Sequence, residues 1–162
     1  MKPYFANIEG YRTVVDPEAS TWWETWEHFY LDPIYPLTLV TKEGNWQPNR
    51  SFLTNRASIP RVPPFIRCLV PKDRFLMAFL HDSGYIEGGL WFCGSFRVMK
   101  RKEIDDLFRV GMMADPEKPW KITVDMVWSN VRLYGWAAWN SHRKRHKCRI
   151  DRNDAGGILK MA

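Results

Sequence analysis

The chain has 162 residues, 45% of them hydrophobic and 15% aromatic with nine tryptophans, enough to bury one core without disulfides or a structural metal. Its cysteines, Cys68, Cys93 and Cys148, are odd in number and far apart, which argues against a disulfide framework or a paired-cysteine metal site and points to a reducing compartment. The net charge of +6 is concentrated from Ser141 onward, where seven Lys and Arg face two Asp, so a single domain over 1–140 with a basic tail over 141–162 is expected.

The first segment, MKPYFANIEGYR, carries Glu9 and Tyr11 where a secretory leader needs an unbroken apolar run, and no later run reaches membrane-spanning length. Synthesis in a cytoplasm with no membrane span is the expectation. Tyr11 to Val15 reads as a first strand ending at Asp16-Pro17. The aromatic, roughly alternating WWETWEHFY over 22–30 fits a second strand. Leu37 to Thr41 is β-rich, Lys42-Glu43-Gly44-Asn45 reads as a hairpin turn into Trp46, and Ser51 to Thr54 continues as a strand. The amino-terminal third is thus expected to form a small antiparallel sheet.

After residue 55 the character changes. Pro60, Pro63 and Pro64 suit a tight crossing and a helix start around Phe65 to Leu69. Phe75 to Tyr85, FLMAFLHDSGY, is apolar on nearly every helical face, which predicts a buried helix that breaks at Ser83-Gly84 and delivers His81 and Asp82 at its end. Burying two ionisable groups is costly unless they are paired or bound. A looser stretch to Arg97, a loop or short hairpin, precedes a helix over Arg101 to Met113 with Ile104, Leu107, Phe108 and Met112 at 3,4 spacing. On that wheel Asp105 lies at the edge of the apolar stripe and Asp106 faces water. Pro119 then precedes a long helix running to about Trp139, with the stripe Val124, Val127, Trp128, Val131, Tyr134 and Ala138. The fold class is α+β, a small N-terminal antiparallel sheet packed against three or four helices, with His81 and Asp82 facing Asn55 and Asp105.

Four ordered segments resemble a largely phage and prophage family catalogued as domain of unknown function 1353. They are Thr54-Asn55-Arg56-Ala57-Ser58-Ile59-Pro60, His81-Asp82, Arg101-Lys102-Glu103-Ile104-Asp105 and Arg132-Leu133-Tyr134-Gly135, spread over roughly residues 35 to 140. The resemblance implies a phage-encoded protein and an architecture; the family label carries no activity. Two positions depart from its pattern: Asn55 stands where the family has Asp, and Ile104 where it has Ala. An Asn carbonyl can still meet a cation, but without the charge that holds it.

Three functions follow as expectations. The first is a structural or assembly component of a phage particle, of tail, neck or baseplate type, made in the host cytoplasm and carried in the virion with other particle proteins as partners. In that reading the buried His-Asp-Asp cluster holds the fold, and Trp22, Trp23, Trp46 and Trp91 are candidates for an interface. The alternative is a hydrolase in which His81, Asp82 and Asp105, with Asn55 as a weaker fourth ligand, bind a divalent metal ion that activates water. A Ser58-His81-Asp105 triad is weaker still, since no G-x-S-x-G elbow surrounds Ser58. The third is nucleic-acid binding through residues 141–152, where Arg143, Lys144, Arg145, Lys147 and Arg149 can meet phosphates.

Overall fold

The structure is a computed structural model that describes residues 1–21, 24–54, 76–116 and 120–155, with side chains described outside 19–27, 53 and 145–155. The elements in chain order are β1 (Tyr4–Ala6), β2 (Tyr11–Thr21), β3 (Glu24–Leu31), β4 (Thr38–Val40), β5 (Asn45–Gln47), β6 (Ser51–Thr54), α1 (Leu76–Glu87), β7 (Gly89–Phe92), β8 (Ser95–Val98), α2 (Arg101–Ala114) and α3 (Lys121–Ala155). The class is α+β. The helix expected around Phe65 to Leu69 lies outside the described residues.

The strands divide into two antiparallel sheets instead of one. Strands β2, β3 and β6 form a three-stranded sheet, and β1, β4, β5, β7 and β8 a five-stranded one. The second sheet is completed by a late hairpin, because Trp46 on β5 pairs with Phe92 on β7. That hairpin turns at Cys93 and Gly94, both with positive φ (46° and 83°), the conformation that two-residue connections between twisted strands require. Strand β2 does not stop at Asp16-Pro17. It is an edge strand, paired with β3 alone, and Pro17 falls where the register shifts between Asp16 and Thr21, the kind of place a sheet tolerates proline.

One core joins both sheets to the helices. Tyr11 and Phe29 from the smaller sheet pack at a tilt on Phe79 of α1, with ring centroids 4.7 and 4.8 Å away, and Phe52 closes the cluster at 4.8 Å from Phe29. Trp46 is core, 3% exposed and packed on Phe92, and Trp91 is half-buried, so neither is an exposed interface tryptophan; Trp22 and Trp23 are outside the described residues.

Two helices run past their expected ends. Helix α1 continues through Ser83-Gly84 to Glu87, placing His81 and Asp82 in mid-helix. The reason is tertiary: Ser83 Oγ accepts hydrogen bonds from the Asn49 backbone N–H and side-chain amide, and Gly84 lies so close to Ile104 of α2 that a Cβ would come within 3.0 Å of it. Gly88, with φ of 79°, ends the helix instead, its N–H donating to the Gly84 carbonyl. Helix α3 runs unbroken past Trp139 into the basic segment, to Ala155. Its buried face is Val124, Val127, Val131 and Gly135. Tyr134 and Ala138, expected on the buried stripe, are exposed.

Candidate functional site

Helix α1 crosses between β6, α2 and α3, and its two adjacent ionisable residues point to different neighbours. His81, Asp82 and Asp105 do meet, at 3%, 4% and 0% exposure. His81 Nε2 lies 3.4 Å from Asp105 Oδ1, and Nδ1 lies 3.8 Å from Asp82 Oδ1. The imidazole is held between the rings of Tyr85, one turn on along α1, and Phe108 of α2, at centroid distances of 4.2 and 4.6 Å. Asp106 is half-buried and takes no part.

Each carboxylate is already occupied. Asp82 Oδ2 accepts a 2.5 Å hydrogen bond from the Thr54 hydroxyl at the end of β6. Asp105 Oδ1 accepts from the Tyr85 hydroxyl at 2.6 Å, beside the imidazole. Its Oδ2 accepts from Arg132 Nη1 of α3 at 2.9 Å and lies 3.7 Å from Arg101 Nη1, one turn back on α2. Arg101 also donates to the Arg132 carbonyl at 3.1 Å, which ties α2 to α3 directly. Gly135 leaves room for Tyr85, since a Cβ there would sit 2.5 Å from the phenolic oxygen.

The electrostatics follow from this packing. Burial opposes charge on His81, but its contacts with Asp105 and Asp82 and their negative charges outweigh burial and raise its pKa above the ordinary histidine value. Burial likewise opposes ionisation of Asp105, and His81, Tyr85 and Arg132 together hold its pKa below the ordinary carboxylate value. Burial first, and then the Asp105 carboxylate, push the Tyr85 phenol well above its usual range. With His81 protonated, three cations enclose two anions. This is a compensated cluster with its lone pairs directed at protein donors.

Among the described residues no group of three or more His, Cys, Asp or Glu side chains has an arrangement that could hold a metal ion. Two recesses in the surface lie elsewhere: one along α3 beside Lys121, Ile122, Asp125 and Met126, the other where Asp106, Arg109 and Val110 of α2 meet Trp128 of α3. Asn55 and Ser58 are outside the described residues.

The basic segment is only partly resolved into roles. Arg143 is engaged with the protein: its Nη2 donates to the Tyr85 and Ile86 carbonyls at 2.8 and 2.6 Å, and its guanidinium lies 4.8 Å over Trp139. It satisfies carbonyls that the end of α1 leaves without helical partners, so it is not presented to phosphates. Burial lowers its pKa from the usual arginine value. Lys144 is exposed, and the side chains of Arg145, Lys147 and Arg149 lie outside those described.

Tyr85, Thr54, Arg101 and Arg132 are the network members that residue patterns alone did not single out. Arg101 and Tyr85 carried a signal, since each lies four residues from a partner on its own helix, Asp105 and His81. Arg132 and Thr54 carried none in their spacing, because their contacts cross between distant elements; only their places in the segments that resemble the phage family marked them. No protein-family model matches the chain, and no curated protein or solved structure matches it.

Proposed function

We propose that the protein is a structural or assembly component of a phage particle and that its buried His-Asp-Asp cluster is a brace for the fold, not a catalytic centre. One observation carries the second half of that reading. Asp105, the carboxylate that a hydrolytic site would need as ligand or base, is fully buried and surrounded by Tyr85, His81, Arg132 and Arg101, so a metal ion or substrate would have to displace protein partners that already hold it. The four segments that resemble the phage family also supply its parts: Thr54, His81 and Asp82, Arg101 and Asp105, and Arg132, with Gly135 making space for Tyr85. The phage origin rests on that resemblance.

Two measurements test the reading. Removing one partner of a buried pair costs about 3–5 kcal/mol, so Asp105→Asn is expected to lower the urea-unfolding free energy by about that amount. Protein purified without chelator is expected to carry well under one equivalent of divalent metal. One equivalent that disappears in Asp82→Ala would establish a metal centre instead. Mass spectrometry of gradient-purified particles from a lysate expressing the chain is expected to find it at a constant copy number; its absence from them would remove the particle assignment.

A further inference from the structure

By composition the residues after Ser141 are one undivided basic tail, and helix geometry divides it. Helix α3 continues through the segment to Ala155, so each residue there has a place around a single axis, about 100° from the one before. Arg143 sets the rotation: it donates to the Tyr85 and Ile86 carbonyls, so position 143 faces α1. Positions Lys144, Lys147, Asp151 and Asp154 fall within about 100° of that direction. Positions Arg145, Arg149 and Arg152 fall about 180° to 240° round from it, within about 60° of one another. Both acids of the helical segment therefore lie on the side of position 143, and the opposite stripe has none.

This order is unfavourable for the helix alone. Arg145 and Arg149 are four residues apart and Arg149 and Arg152 three, the spacings at which like charges on a helix repel. None of the three has Asp or Glu three or four residues to either side, whereas Lys147 has Asp151 four residues on. An arginine stripe with no acid in helical reach calls for anions from outside, and its chemistry narrows their source. The planar guanidinium matches phosphate oxygens two at a time. The three positions span about 10 Å of helix, a length over which duplex nucleic acid presents about six negative charges. A membrane surface is the poorer match. A helix lying on one buries an apolar face, and from Lys144 to Ala155 the one large apolar residue is Ile150.

We propose that the stripe Arg145, Arg149 and Arg152 of α3 binds the phosphate backbone of duplex nucleic acid, a contact that carries no sequence information. The inference is independent of the particle assignment and of the buried brace, since it concerns a different part of the purified chain. Fluorescence anisotropy of the full chain is measured with labelled duplexes of about 30 base pairs, one of DNA and one of RNA. With three phosphates contacted, affinity for the DNA is expected to fall about fortyfold between about 50 and 200 mM NaCl. Arg145→Gln with Arg149→Gln, and Lys144→Gln with Lys147→Gln, remove the same charge from the same segment, and both pairs are expected to keep the parent's circular dichroism. The arginine pair is expected to weaken binding at least about tenfold at about 50 mM NaCl and to cut the logarithmic salt slope to about a third, the lysine pair to weaken it less than about threefold. Equal losses from the two pairs would assign binding to net charge and overturn the stripe. Binding of neither duplex, or binding of phosphatidylserine vesicles and of neither duplex, would overturn the nucleic-acid assignment.

Discussion

His81 is the residue whose protonation the rest of the network registers. Its raised pKa means that the folded chain keeps the imidazolium proton at pH values where the unfolded chain has released it. That contribution to stability is complete below the ordinary histidine value of 6.5 and is lost as pH rises through the raised value. Asp105 acts in the opposite sense: its contribution is present above the ordinary value of 3.8 and is lost as pH falls through the lowered one. The two together place the network's greatest contribution between about pH 4 and 6.5. Urea midpoints measured across pH 5 to 9 are expected to fall with rising pH in the parent and to be flatter in His81→Gln, which keeps an amide near Asp105 but has no proton to lose. An unchanged slope in that variant would place the titrating group elsewhere. The candidacy of His81, Asp82 and Asp105 was readable from residues alone, because charge in a run as apolar as 75–85 has to be compensated and Asp105 borders the apolar stripe of its own helix. The identity of the compensating partners was not, because Arg132 and Thr54 reach the cluster from elements far along the chain.

At the scale of elements, α1 passes its expected end because neighbours remove the reason to stop. Ser83 and Gly84 are turn-prone in isolation. On α1 the serine meets Asn49 and the glycine allows Ile104 to approach, so the helix gains from continuing. Its actual end depends on a distant cation, with Arg143 of α3 covering the carbonyls of Tyr85 and Ile86. Arg143→Ala is expected to lower stability by about 1–3 kcal/mol, since it leaves partly buried acceptors without donors, whereas Lys144→Ala, on the exposed side, is expected to stay within about 0.5 kcal/mol. Equal effects from the two would mean that Arg143 is no cap. The pair also separates fold from charge in a segment that composition alone treats as one basic tail.

At the scale of the whole molecule, two sheets and three described helices enclose one core, and the large apolar side chains left exposed are spread over β1, β2, β8 and the segment at Ile34 and Tyr35 as well as over α2 and α3.

Periodicity and turn chemistry were enough to establish the α+β class, the strand seen at Glu24–Leu31, those expected over 37–41 and 51–54, the hairpin at Gly44 and the helix from Arg101, because each of these is specified by side chains within a few residues of one another. The partition into two sheets, the passage of α1 through Ser83-Gly84, the saturation of Asp105 and the outward turn of Leu133 and Trp136 were decided only on folding. Each depends on which distant segment arrives alongside, and an element's hydrophobic pattern says that it has a face to bury without saying what will cover it.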